Sequence, residues 1–169
     1  MRFVGNMRGM KSHVDDGGIR SPLLFHWPAK VKSGHRSNLM CAHIDVLPTL
    51  LDACSVESSN THPVDGRSFL PLLMNDPVDW PNRSLVFQTH RGDKPQLYHH
   101  FALHNGPWKL VHPSGFGKEK IDGEVKLELY NLKQDPQQQH NLAADKPEVF
   151  ARLKANYESW FEDVGSTRP

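Results

Sequence analysis

Apolar positions change their period along this chain. From Val149 onward, Phe150, Leu153, Tyr157, Trp160, Phe161 and Val164 recur at three- and four-residue steps, the signature of one helical face. Asp145, Pro147 and Glu148 supply a start signal for that helix. The preceding stretches behave differently. Residues 84–90 alternate and carry β-branched content, which predicts a strand, and residues 99–104, 108–112 and 127–132 read as three more. Asn105-Gly106-Pro107 joins the second and third as a tight hairpin connection. The pattern predicts a four-stranded antiparallel sheet with the C-terminal helix on one face.

The N-terminal half is less regular. Residues 1–21 show no sustained period and read as loop. The apolar run at 22–27, closed by Trp27-Pro28, predicts a buried strand. A polar loop over 29–38 leads to a helix over 45–54, with Asp45 as its N-cap and Leu47, Leu50 and Leu51 as its stripe. Cys54 reads as a small buried apolar residue. Residues 55–68 read as exposed loop, and Ser68–Leu73 as a short helix. Asn75-Asp76-Pro77 and Trp80-Pro81 mark a boundary, giving predicted domains 1–82 and 83–169 in an α/β chain.

Composition narrows the function classes. Lys and Arg total 20 against 19 Asp and Glu over 169 residues, so no chain-wide basic field points to nucleic acid. No apolar run reaches the roughly 20 residues of a membrane helix. Met1–Asn6 is too short and polar for a secretory signal. The compartment is therefore open; an exported, periplasmic or secreted parent would carry its signal upstream. Cys41 and Cys54 permit one disulfide at most. Eleven histidines invite a metal site, but none of their spacings matches a zinc set, and no metal ligand is predicted.

The candidate chemistry lies in Gly9–Pro22. There a lone Lys11 in a polar loop precedes Gly17-Gly18, Arg20 and Pro22. A loop that delivers a cation beside a glycine turn is a way to build an anion site. His90-Arg91-Gly92-Asp93, closing a strand and opening a loop, is a second polar cluster.

At these residues the chain resembles the sulfatase family, the formylglycine-dependent sulfuric ester hydrolases related to alkaline phosphatase. Lys11, Gly17, Gly18, Arg20, Pro22, Trp27 and Pro28 match its lysine-loop pattern, while Asp16 replaces a glutamate, and Ser12 and Ala29 replace glycines. The resemblance continues through Asp45-Val46-Leu47-Pro48-Thr49-Leu50, Trp108-Lys109-Leu110-Val111, and Glu128–Leu132 to Asn141-Leu142-Ala143. It implies the C-terminal part of an alkaline-phosphatase-like α/β sandwich over 1–82, followed by the sheet-and-helix subdomain over 83–169. It implies sulfate ester hydrolysis, with Lys11 contacting the sulfate as a catalytic and binding residue. It also implies His13 as a further substrate contact and His90 and Arg91 as pocket-rim residues. Arg20 is expected to be an ion-pair partner of Asp15 or Asp16.

The family's Cys-x-Pro-x-Arg motif and its aspartate and asparagine metal ligands are absent from this sequence. Calcium and formylglycine are accordingly implied for the complete family enzyme and not for this chain, which is expected to be inactive alone. The implied partner is a sulfated small molecule or sulfated carbohydrate. Two other readings stay open: a non-catalytic binding or structural remnant, and a relative of another activity such as a phosphodiesterase.

Overall fold

The computed structural model describes residues 5–57, 64–114, 116–121 and 123–166. The alternating stretches fold as four strands, β1 (Ser84–Gln88), β2 (Phe101–Asn105), β3 (Trp108–His112) and β4 (Glu128–Asn131). They form one antiparallel sheet in the order β1-β2-β3-β4. Asn105 pairs with Trp108, so the predicted hairpin turns through Gly106-Pro107 alone. The registers Val86↔Leu103, Leu103↔Leu110 and Leu110↔Leu129 put one apolar row across all four strands. The C-terminal helix, α4 (Pro147–Ser166), covers this face.

Leu153 and Tyr157 of α4 are fully buried against Phe101, Leu103, Leu110 and Leu129. Phe101 and Tyr157 stack with ring centroids 3.7 Å apart. The Tyr157 hydroxyl accepts from the Tyr98 amide at 3.0 Å and donates to Gln88 Oε1 at 3.1 Å, so its polar end is satisfied inside the core. Burying each large apolar side chain contributes roughly 1.5–3 kcal/mol. This face is the main core.

The other face was not foreseen as a packing surface. Ala102, His104, Lys109, Val111, Glu128 and Tyr130 point to it by strand alternation. The residues that cover it are Val14 and Ile19, from the segment read as free loop. That segment contains one short helix, α1 (Asp16–Ile19). Residues 5–21 therefore belong to the same compact unit as the sheet and α4, while residues 22–81 form a second unit. His99 and His100 lie in a turn ahead of β2 and not within a strand.

In the second unit, residues 22–27 do not form the predicted strand. Leu24 is 90% exposed. A strand needs a neighbour to take its amides and carbonyls, and these residues have no ladder partner among the described residues. The predicted helix is α2 (Val46–Ala53), preceded by a 3₁₀ turn at His43–Asp45. Asp45 occupies the N-cap position of α2 as predicted, but its side chain caps no amide of that helix. The carboxylate instead accepts the amides of Ala42 at 2.7 Å and Arg67 at 2.9 Å. Thr49 is the buried residue of α2, and its hydroxyl accepts the Phe69 amide at 3.0 Å. Leu47 and Leu50 are exposed, as is Cys54. The short helix α3 (Leu70–Met74) ends at Asn75 in the left-handed conformation.

If Tyr157 anchors the main core, Tyr157→Ala should cost about 3–5 kcal/mol. Tyr157→Phe, which removes only the two hydroxyl hydrogen bonds, should cost about 1–2 kcal/mol. Urea unfolding of both variants checks this, and equal losses would deny the ring its place in the core.

Candidate functional site

The loop that carries Lys11 is held by backbone contacts too close for side chains. The Gly17 amide donates to Arg8 O at 2.8 Å, and the Gly18 amide to Asp15 O at 2.8 Å. A Cβ on Gly18 would collide with the carbonyl oxygens of His13 and Met10, and one on Gly17 with those of Gly9 and Arg8. The glycine pair thus brings the loop against itself, which only glycine allows.

Two ion-pair systems fasten the loop to the sheet. Lys109, fully buried on β3, donates from Nζ to Asp16 Oδ1 at 2.7 Å. His104 Nε2 lies 3.5 Å from the same oxygen, near enough for attraction but not aligned as a hydrogen bond. Arg8 donates from Nη1 to Glu128 Oε2 at 2.8 Å and to the Tyr130 hydroxyl at 2.7 Å. That hydroxyl donates in turn to Glu128 Oε2 at 2.9 Å. Arg8 Nε stands 3.3 Å from Asp15 Oδ1, again without hydrogen-bond alignment.

The titration of these groups follows from where they sit. Burial, then the Lys109 ammonium, pulls His104 down to about 4, with Asp16 acting in the opposite sense. Burial pulls Lys109 below its ordinary range, and Asp16 opposes that pull. Tyr130 is pushed up to about 12 by burial and by its bond to Glu128. Burial works against the charge of Arg8, but Glu128 and Asp15 outweigh it and raise its pKa.

Lys11 is exposed in the turn closed by the His13 amide on Met10 O. It makes no ion pair among the described residues. His13, two residues on, is half-buried, with Nδ1 3.9 Å from Asp15 Oδ2. His90 and Arg91 are exposed in the loop after β1. His100 connects the two regions. Its carbonyl accepts the Thr89 amide at 3.2 Å, next to His90, while its Nε2 lies 3.1 Å from Ser12 O, next to Lys11. Its Nδ1 faces Pro113 O at 3.0 Å. A neutral imidazole has one N–H, so it ties one of these carbonyls at a time. Ser12, Tyr98 and His100 all adopt positive φ, at 78°, 63° and 41°. Local strain of this kind gathers at functional sites. The four sequence-predicted residues therefore lie on loops at one end of the sheet, though no direct contact joins Lys11 to His90 or Arg91.

Arg20 is not the partner of either aspartate. Asp15 meets Arg8 and Asp16 meets Lys109, while Arg20 is exposed. Arg20 instead lines a shallow depression with Gly5, Asn6, Met7, Pro136 and Gln137, which includes none of the four predicted residues. Lys109 could have been suspected: a lysine sharing a strand face with Val111 needs an anion opposite it. Arg8 and Glu128, 120 residues apart, carried no such signal.

Calcium takes six to eight oxygen ligands, and the carboxylates here do not fit that need. Asp15, Asp16 and Asp45 are already committed to Arg8, Lys109 and backbone amides. No group of three or more metal-binding side chains occurs among the described residues.

Comparison with known proteins extends these observations. Residues 10–162 match the family model described as N-sulphoglucosamine sulphohydrolase, C-terminal. An N-acetylgalactosamine-6-O-sulfatase of Bacteroides thetaiotaomicron is 27% identical over 162 residues, covering 92% of this chain and 30% of that protein. An ulvan-active sulfatase of Formosa agariphila is 28% identical, covering 92% of this chain and 35% of that protein. A solved structure from a Bacteroides thetaiotaomicron locus for metabolism of multiple glycosaminoglycans is similar with a TM-score of 0.70. It is 28% identical, covering 92% of this chain and 32% of the other. The chain spans about a third of the length of the curated relatives it matches.

The buried charges yield two expectations. Lys109→Met leaves Asp16 without its counterion and should cost about 3–5 kcal/mol, whereas Lys109→Met with Asp16→Asn should cost less than Lys109→Met alone. Chemical denaturation of both variants decides it. The second concerns acid. Below the ordinary histidine pKa near 6.5, the unfolded chain protonates His104 while the folded chain resists until about 4. Stability from this group is therefore complete above 6.5 and lost as pH falls toward 4. The drop in unfolding free energy between pH 7 and pH 4.5 should be smaller in His104→Gln by about 2 kcal/mol; an unchanged drop refutes the assignment.

Proposed function

The chain belongs to the sulfatase family, and from that membership we propose that the complete protein hydrolyses sulfate esters, with this chain supplying the lysine loop and one wall of the pocket. The observation that carries the reading is the contrast between cations on one loop system. Arg8 and Lys109 are neutralised by carboxylates, while Lys11 is exposed on a backbone the glycine pair holds close. A sulfate ester gathers charge on its nonbridging and leaving oxygens as the S–O bond breaks. A positioned ammonium stabilises that charge. Lys11 binds the sulfate in this reading, His13 flanks it, and His90 and Arg91 hold the organic part.

A sulfated carbohydrate is the substrate class we favour. Two relatives are described as acting on N-acetylgalactosamine-6-O-sulfate and on ulvan. Family membership implies calcium and formylglycine in the complete enzyme. The committed carboxylates of this chain, and its cysteines at Cys41 and Cys54 outside any Cys-x-Pro-x-Arg sequence, supply neither. In this reading both groups come from residues beyond these 169.

By itself, then, the chain should show no turnover of an aryl sulfate in the presence of calcium. Joined to the rest of its enzyme, Lys11→Ala should lower turnover by roughly two orders of magnitude, as loss of one oxyanion stabiliser does. Lys11→Arg should restore only part of it, since a planar fork replaces a compact ammonium. Arg20→Ala should leave turnover intact and change stability by no more than about 0.5 kcal/mol. Steady-state kinetics separates these outcomes, and near-normal turnover in Lys11→Ala removes the loop from the sulfate site.

A further inference from the structure

We infer that Phe116 is a stacking platform for a pyranose ring of the carbohydrate, set beside the sulfate position at Lys11. The inference rests on the sulfated-carbohydrate reading for its ligand class but not for its geometry.

Phe116 is 49% exposed, the one exposed Phe, Tyr or Trp among the described residues. A lone exposed aromatic is ordinary on a surface. This one, however, is placed. Its ring lies 5.5 Å from the His100 ring and 6.1 Å from the His13 ring, both centroid to centroid and both tilted. His100 also faces the carbonyl of Ser12, next to Lys11. The phenyl ring thus lies against the same histidine that faces the lysine turn, and against His13 as well.

The loop that follows is tied on its far side. The Ile121 amide donates to Gln96 Oε1 at 3.4 Å. The Glu119 side chain lies alongside Gly92, next to Arg91. Phe116 thus lies against His13 at one end of a loop whose Glu119, three residues on, reaches Gly92 beside Arg91.

The arrangement matches the chemistry of a sugar. A pyranose has an apolar face of C–H groups and an equatorial rim of hydroxyls. The face gains by covering an exposed phenyl ring. The hydroxyls need polar neighbours, of which His13 is one against the ring, and an anionic substituent needs a cation such as Lys11, two residues from His13. Binding sites of this kind combine an apolar surface with a few convergent polar groups.

The test uses the intact chain and three probes: an N-acetylhexosamine 6-O-sulfate, its unsulfated parent, and inorganic sulfate. Amide shifts report binding at each loop, and saturation transfer reports sugar C–H protons against the aromatic ring. Phe116→Ala, at an exposed position, should weaken the sulfated sugar about tenfold and leave inorganic sulfate unchanged. Phe116→Trp should retain the sugar affinity. Sulfate shifts in the Lys11 turn without sugar saturation at Phe116 overturn the platform and leave the sulfate reading standing. Saturation by the unsulfated sugar, lost in Phe116→Ala and without any sulfate response at Lys11, upholds the platform and overturns the sulfate reading. Equal weakening of sugar and inorganic sulfate by Phe116→Ala overturns the platform, as does the absence of any sugar signal.

Discussion

A fully buried ammonium, Lys109, requires an anion, and in this fold the anion is Asp16, 93 residues earlier in the chain. Almost everything about the candidate site depends on that pairing. Asp16 opens α1, and the glycines after it bring α1 against the turn holding Lys11. An ammonium left in the sheet's second face without its partner would cost several kcal/mol. The segment 8–19 is therefore not an ornament on the sheet but one of its two covering layers.

The two faces of the sheet are held by different physics. Toward α4 the contacts are apolar, non-directional and tolerant of small shifts. Toward the N-terminal segment they are charged and directional: Lys109 to Asp16, Arg8 to Glu128 and Tyr130. A buried ion pair is weak evidence for added stability, since desolvation offsets much of the attraction. Its directional demand is what suits this face. An apolar patch would let the lysine loop slide, whereas these pairs accept one register.

That register sorts the cations by role. Arg8 and Lys109 are consumed in holding the loop, leaving Lys11 on its outer side. His100 adds a link to the β1 end of the sheet, at the cost of backbone strain shared by Ser12, Tyr98 and itself. His13, two residues on from Lys11, lies against Phe116, while His90 and Arg91 occupy the loop after β1.

Much of this was legible from periodicity. The α4 stripe and the four short strands each carry a local repeat, and the conformation each repeat favours is the one adopted. The lysine motif was legible too, as a cluster of residue types in a short span. What stayed hidden are choices made across distance. Asp15 and Asp16 offered two carboxylates near Arg20, and proximity in the chain favoured that arginine. Folding brought Arg8 and Lys109 instead, because sheet register placed Lys109 under Asp16. Residues 22–27 have strand composition but no ladder partner among the described residues, and composition cannot supply one. Asp45 looked like a cap for its own helix, yet the amide of Arg67, 22 residues on, reaches its carboxylate. Local propensity depends on neighbours in sequence, while ion pairing, ladder formation and burial depend on neighbours in space, and those exist only once the chain has closed on itself.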